Sequence, residues 1–282
     1  MKRLIINADD FGLTDGVCEG IVEAICDGIV TSTTAMVAVP GAAARLARWA
    51  HAIPSQIGLH LQLTGGQPCS PAQEVPSLLD GQGQFPRSRK GLGQIDPGEV
   101  ALEWQAQLAR LRQWGIEPTH LDSHHHVHHL RPAIPAIVGL AKAGGLPVRT
   151  GPLPVAHALR TANIPHADYL DTSWYGDGLT ADRLVQAVSQ AFDRIGGHGT
   201  VELMCHPGYA DDALSAVSGY VGGRWQELIL LRSGDFASRL EGLGIQLISY
   251  AELCLDGTRP PPLDKKQPGR PSHRAQNLRA LD

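Results

Sequence analysis

Ionisable and polar side chains recur with a period of two along several apolar runs of this chain: His60, Gln62 and Thr64 in "IGLHLQLT", His120, Asp122 and His124 in "THLDSH", and Glu202 and His206, with Met204 between them, in "TVELMCH". Period two is the strand period, so each set shares one face of an extended segment. The first run, "RLIINA", leads through Asn7 into Asp9 and Asp10, and another, "LPVRT", carries Arg149 near its end. Two imidazoles and one carboxylate from three such ends supply a three-ligand metal site with open positions, the arrangement of a catalytic rather than a structural ion. A second carboxylate beside that site can deprotonate a water, which is hydrolytic chemistry. On softness, the donors suit Zn2+, Mn2+, Fe2+ or Co2+ better than Mg2+.

Neighbouring residues of a regular strand point to opposite faces, so Asp9 and Asp10 need a bend, and the following Phe11-Gly12 is where one is expected. Taken singly, these features have plainer accounts. His60 reads equally as a hydrogen-bonded core histidine, Asp9-Asp10 as a turn with a helix cap, and His124–His129 as a metal-sticky loop. Together those accounts require separate coincidences at matching ends of strands.

The elements that must position these residues follow from periodicity. Strands are expected at 3–8, 31–39, 57–64, 119–124, 146–150, 200–206 and 245–250, with a further one in "ADYLDTSW" in the otherwise unclear region 151–178. Helical spacing marks 17–28, with Thr14 or Asp15 as its N-cap, then 42–51, 97–114, a segment from Pro132, 180–195 and most of 224–243. Alternation at about 30 residues per βα unit predicts a mainly parallel sheet closed into a distorted (β/α), TIM-like barrel, with its site at the C-terminal strand ends. Residues 1–255 are expected to form one barrel domain with loop insertions near 65–97 and 208–223, the first too long for an ordinary connection and read as a functional loop or lid. Residues 256–282, rich in Pro and charge, are expected to be a poorly ordered tail.

With 43% hydrophobic residues, 18% charged and a net charge of −4, the chain has material for a sizeable core and no basic surface calling for nucleic acid. The N-terminal apolar run is too short for a signal core or a membrane span, so a cytoplasmic location is expected. Cys18, Cys26, Cys69, Cys205 and Cys254 lack zinc-type pairing and are expected to be reduced, mostly buried thiols.

"NADDFG" at 7–12, "GIVTSTTAMV" at 28–37, "GLHLQLT" at 58–64, "THLDSHHHVH" at 119–128 and "MCHPG" at 204–208 closely resemble, in order, the motifs of the YdjC-like (ChbG/HpnK) carbohydrate deacetylases. The resemblance spans residues 2 to about 253 and is nearer the chitooligosaccharide branch. It implies hydrolysis of an N-acetyl group from a sugar, one divalent metal usually assigned as Mg2+, and a homodimer. Carried over residue by residue, it implies Asp10, His60 and His124 as metal ligands, Asp9 as general base, His206 as general acid, and Arg149 as a group that orients or tunes Asp9. Thr64 and His126 become substrate-binding candidates, while Trp174 and Tyr175 are candidate stacking surfaces for a sugar. The rival readings are another metal-dependent hydrolase such as a phosphoesterase, a non-haem Fe(II) oxygenase sharing the two-His, one-carboxylate set, and a catalytically silent sugar-binding protein.

Overall fold

In the computed structural model, residues 1–253 other than Asp177 are described. In chain order the elements are β1 (Lys2–Phe11), α1 (Asp15–Cys26), β2 (Ser32–Ala35), α2 (Ala42–Trp49), β3 (Ile57–Leu61), α3 (Pro97–Gln113), β4 (Leu121–Ser123), α4 (Ile134–Gly144), α5 (Leu153–Thr161), β5 (Tyr169–Asp171), α6 (Ala181–Arg194), β6 (Gly199–Cys205), α7 (Asp212–Val217), α8 (Gly222–Leu231), α9 (Gly234–Gly242), β7 (Ile245–Leu247) and α10 (Tyr250–Leu253). Helix starts follow local chemistry: the Thr14 hydroxyl accepts from the Val17 N–H at 3.2 Å, and the Asp96 carboxylate from the Gly98 and Glu99 N–H groups at 2.7 and 3.1 Å.

All strand pairs are parallel, in the order β4-β3-β2-β1-β6-β5. β7 pairs the beginning of β1 on the edge that β2 takes at its end. Between β4 and β6 the ladder continues through backbone bonds: Leu121 N–H to Pro147, Arg149 N–H to Leu121, Val148 N–H to Pro165 and Asp168 N–H to Thr200, at 2.8–3.0 Å. These bonds close a distorted barrel, as the alternation of patterns predicts. The apolar core joins Leu4, Ile6, Leu59, Leu121, Val201 and Leu203 of the strands to the inner faces of the helices. The described residues contain no helix long and apolar enough to cross a membrane.

The expected strand 146–150 is reduced to one bridge, Leu121 to Val148. Pro147 offers no N–H and its neighbouring segment carries Pro165, so a regular ladder has too few donors there. The unclear region 151–178 contains α5, where Pro154 sits in the first turn, the place a helix tolerates it. Residues 224–243 divide at Ser233 into α8 and α9, and the 208–223 insertion contains α7, capped by Asp211. The 65–97 insertion is strapped down rather than loose: buried Glu103 of α3 accepts from the Cys69 and Ser70 N–H groups, and Glu99 from that of Ser77. Cys18 and Cys205 are buried thiols as expected, whereas Cys26 at the end of α1 is exposed. Cys254 and the predicted tail lie outside the described residues.

Candidate metal centre and its surroundings

The bend at the end of β1 is made by Asp10 itself, whose φ is 75°, followed by Gly12 at φ 100°. A non-glycine residue in the left-handed region is uncommon, and Asp is among those that tolerate it best. Pairing with β2 shifts register between Ala8 and Phe11 at this point. Both carboxylates therefore turn inward, Asp9 3% and Asp10 2% exposed.

They meet different partners. The Asp10 Oδ2 accepts from Arg224 Nη2 at 2.6 Å, while Oδ1 lies 3.5 Å from His60 Nε2 and 3.3 Å from His124 Nδ1 and is buried without a hydrogen bond. The candidate ligand atoms of Asp10, His60 and His124 all lie within 4.8 Å of one another. An orphaned buried carboxylate oxygen facing two imidazole nitrogens is the donor set and convergence a divalent cation requires. The opposite nitrogen of His60, Nδ1, contacts Asp122 Oδ1 at 2.7 Å and Thr34 Oγ1 at 3.1 Å. That contact fixes the ring and leaves Nε2 free to face a cation. Burial pulls the His60 imidazole down, but Asp122, Asp10 and Asp9 prevail and lift it to about 10, so Nε2 demands a positive partner, proton or metal.

Asp9 is gripped by Arg149, whose Nη1 and Nη2 each donate to it at 2.6 Å, and accepts from Asn7 Nδ2 at 2.9 Å. Burial works to raise its pKa, yet the guanidinium charge and bonds hold it well below the usual carboxylate range. Arg149, wholly buried, also contacts Asp122 and Glu202, both at 2.8 Å. The Tyr250 hydroxyl donates to Glu202, and the Tyr250 ring stacks on His120 at 3.9 Å between centroids. His120 Nε2 returns to Asn7 Oδ1 at 3.0 Å, closing a ring of buried polar contacts beneath Asp9. A Cβ at residue 58 would stand 2.5 Å from the His120 ring, which is why glycine precedes "LHLQLT". Asp9, His60 and Asp122 form a second carboxylate-imidazole group, but the Arg149 guanidinium already contacts both of its carboxylates.

His206, half-buried after β6, has its imidazole lowered to about 4, chiefly by burial, so it rests neutral at pH 7. Its main-chain N–H donates to Glu227 Oε2, and the Tyr220 hydroxyl donates to Oε1 of the same carboxylate at 2.6 Å. Burial pushes the Glu227 carboxyl up to about 7 against the ordinary 4.5. The folded protein thus binds a proton there that the unfolded chain releases, and stability drains away as pH rises from 4.5 through 7. Glu227→Gln lacks this titration, so it should gain on the wild type by about 2.5 kcal/mol between pH 5 and pH 8, measured by urea unfolding.

These groups open into one cavity, whose walls include Gly65, Arg87 and Ser88 from the first insertion and Ser215–Tyr220 from the second. Asp9, Asp10, His60, His124 and His206 all line it, as do His126 and Tyr175. Tyr175 packs 4.1 Å from Tyr220 and 5.3 Å from His206, between ring centroids. Two of the predicted contacts lie elsewhere. Trp174 is 1% exposed and belongs to the apolar core, since an indole at this position fills packing space. Thr64 is buried behind the wall, its hydroxyl 2.9 Å from His125 Nδ1. The run after His124 turns sharply through His125 and His126, with φ of 54° and 52°, and His128 folds back onto the Ser123 hydroxyl.

Arg224, Glu227 and Tyr220 escaped the reading of the sequence. A signal was available: Arg224, Glu227, Leu228 and Leu231 stand at i, i+3, i+4 and i+7 and form the buried face of α8. Trp225 and Ile229, the residues that look like its apolar stripe, are 45% and 50% exposed.

The YdjC-like protein family model matches residues 3–242. A carbohydrate deacetylase of Geobacillus stearothermophilus is 41% identical over 254 residues, 89% of this chain and 98% of its own. A chitooligosaccharide deacetylase of Yersinia enterocolitica is 38% identical over 258 residues, 89% of this chain and 99% of its own. Among solved structures, an Enterococcus faecalis V583 protein provisionally described as a cellobiose-phosphate cleavage protein superposes with a TM-score of 0.80 at 32% identity, over 89% of this chain and 98% of that one.

Proposed function

Because this chain belongs to the YdjC-like family, we propose that it is a carbohydrate N-deacetylase, hydrolysing the N-acetyl amide of an amino sugar to acetate and a free amine. The observation that carries the reading is the juxtaposition, in one cavity, of the Asp10-His60-His124 donor set with an Asp9 carboxylate that Arg149 keeps ionised.

A divalent cation held by Asp10, His60 and His124 would polarise the amide carbonyl and acidify water. The donor set suits Zn2+, Mn2+ or Co2+, and the family resemblance adds Mg2+. Asp9 removes the proton from the attacking water. Arg149 stabilises the charged form of Asp9, so the carboxylate does not retain that proton. His206 starts neutral and gains basicity as negative charge grows beside it, which lets it take up the proton that leaves Asp9 and deliver it to the departing amine. Tyr175 and Tyr220 offer aromatic faces to a sugar, and the two insertions bound the groove.

The phosphoesterase reading calls for a second cation, and the carboxylates available for one, Asp9 and Asp122, are already engaged by Arg149. The test is acetate release from N-acetylated mono-, di- and oligosaccharides after chelation and readdition of Mg2+, Mn2+ or Zn2+. Acetate should appear with added metal, retained under anaerobic conditions. Hydrolysis of a phosphate ester with no acetate from any sugar would overturn the proposal.

A further inference from the structure

Resting on the deacetylase reading for its chemistry, the geometry points to α8 as a clamp: we propose that Arg224 and Glu227, one turn apart, are positioning residues that set Asp10 and His206 in register with each other. Neither is assigned a role by the motifs, and neither belongs to the strand ends that carry the site.

Arg224 is 2% exposed, and Glu227 is wholly buried. Burying a guanidinium and a carboxyl group on one face of a helix is unfavourable unless each finds partners, and each finds them at the site. Arg224 Nη2 takes the Oδ2 of Asp10, and its Nε donates to the Tyr220 carbonyl at 3.0 Å. With Oδ2 engaged, only Oδ1 is presented toward His60 and His124. Arg224 therefore orients Asp10 as a one-oxygen ligand and offsets its charge.

Glu227 works at the neighbouring strand end. One carboxylate oxygen holds the His206 main-chain N–H, where β6 has ended and no strand partner is bonded to it, and the other holds the Tyr220 hydroxyl. The clamp is seated from behind by close backbone packing. Gly208 N–H donates to the Arg224 carbonyl at 3.2 Å, and a Cβ on Gly208 would stand 3.2 Å from the Val17 Cα of α1 and 3.6 Å from the Arg224 Cδ of α8. "MCHPG" thus ends in glycine because α1, α8 and the His206 turn meet there. One short helix fixes both the ligand from β1 and the imidazole from β6, so their separation is held by α8 rather than by the sheet alone.

The test compares the full-length wild type with Arg224→Gln, Glu227→Leu and Glu227→Gln, each first shown to be folded by circular dichroism and thermal unfolding. Titration calorimetry with Mn2+ alone should show Arg224→Gln weakened about 10–100-fold while both Glu227 variants bind as the wild type does. In acetate release, Glu227→Leu should lose about 100-fold in kcat with little change in KM, and Glu227→Gln, which keeps an acceptor for the His206 N–H, should recover most of it. The His206 imidazole resonances should be displaced in Glu227→Leu and restored in Glu227→Gln. Unweakened Mn2+ binding by Arg224→Gln, or a Glu227→Gln as impaired and displaced as Glu227→Leu, would overturn the clamp. Should the wild type release no acetate from any sugar, the deacetylase reading fails by itself, and calorimetry and the His206 resonances still decide the clamp.

Discussion

Asp9→Asn is expected to bind a divalent cation much as the wild type does and to lose acetate release by about 10²–10⁴-fold, the usual contribution of a general base. The separation follows from the division of labour at the end of β1. Asp10, not Asp9, presents an unpaired oxygen to His60 and His124, so the amide at residue 9 leaves the candidate ligand set intact. What it removes is the carboxylate that Arg149 keeps charged. The amide oxygen still accepts from one guanidinium nitrogen and Asp122 and Glu202 still balance the charge, but the amide nitrogen faces the other guanidinium donor, so a loss of about 1–3 kcal/mol of stability is expected beside the loss of turnover. Calorimetry with Mn2+ and acetate release, measured on the same preparation, check both halves. Retained turnover would remove Asp9 from the role of base. His124→Ala, by contrast, should lose metal and turnover together.

Arg149→Met should destabilise the fold by about 3–5 kcal/mol, the effect of removing one partner from a buried charge cluster. Asp9, Asp122 and Glu202 converge on this single guanidinium, and without it three buried carboxylates face one another. Their pKa values would then rise through burial and mutual repulsion, so the folded variant would bind protons that its unfolded chain does not. Its stability should therefore fall as pH rises, and the deficit against the wild type should be larger at pH 8 than at pH 5. Urea unfolding at the two pH values measures this. A deficit that grows toward acid pH would contradict the charge-cluster account. Activity should also fall in the folded fraction, since Asp9 would lose the cation that keeps it ionised.

Most of the barrel, and the strand-end positions of its polar residues, were legible because strand alternation is local. His60 and His206 stand on apolar runs where a period of two places them on a definite face, and Asp9-Asp10 followed by Phe11-Gly12 announces a bend. The bend begins two residues before the glycine, at Asp10, whose left-handed backbone turns the carboxylate inward. Helix boundaries were legible where the signal is local, as at the Thr14 cap and at Pro97 in a first turn. The 146–150 strand was not, because its ladder depends on what lies beside it, and that neighbour carries another proline.

By itself, then, the sequence determined which residues stand at strand ends and that imidazoles and carboxylates are among them, since both follow from residue type and spacing along a few consecutive positions; the choice of Asp10, His60 and His124 as candidate metal donors rested on the family resemblance. The tertiary structure decided which charges neutralise one another. Arg149 reaches Asp9 across 140 residues and Arg224 reaches Asp10 across 214, distances in sequence over which no periodicity carries information. It also sent Trp174 into the core while leaving Tyr175 at the cavity, because adjacent side chains separate only once a wall exists to divide them. Barrel closure brings these groups within hydrogen-bond reach, and burial then makes each unpaired charge too unfavourable to leave unmet.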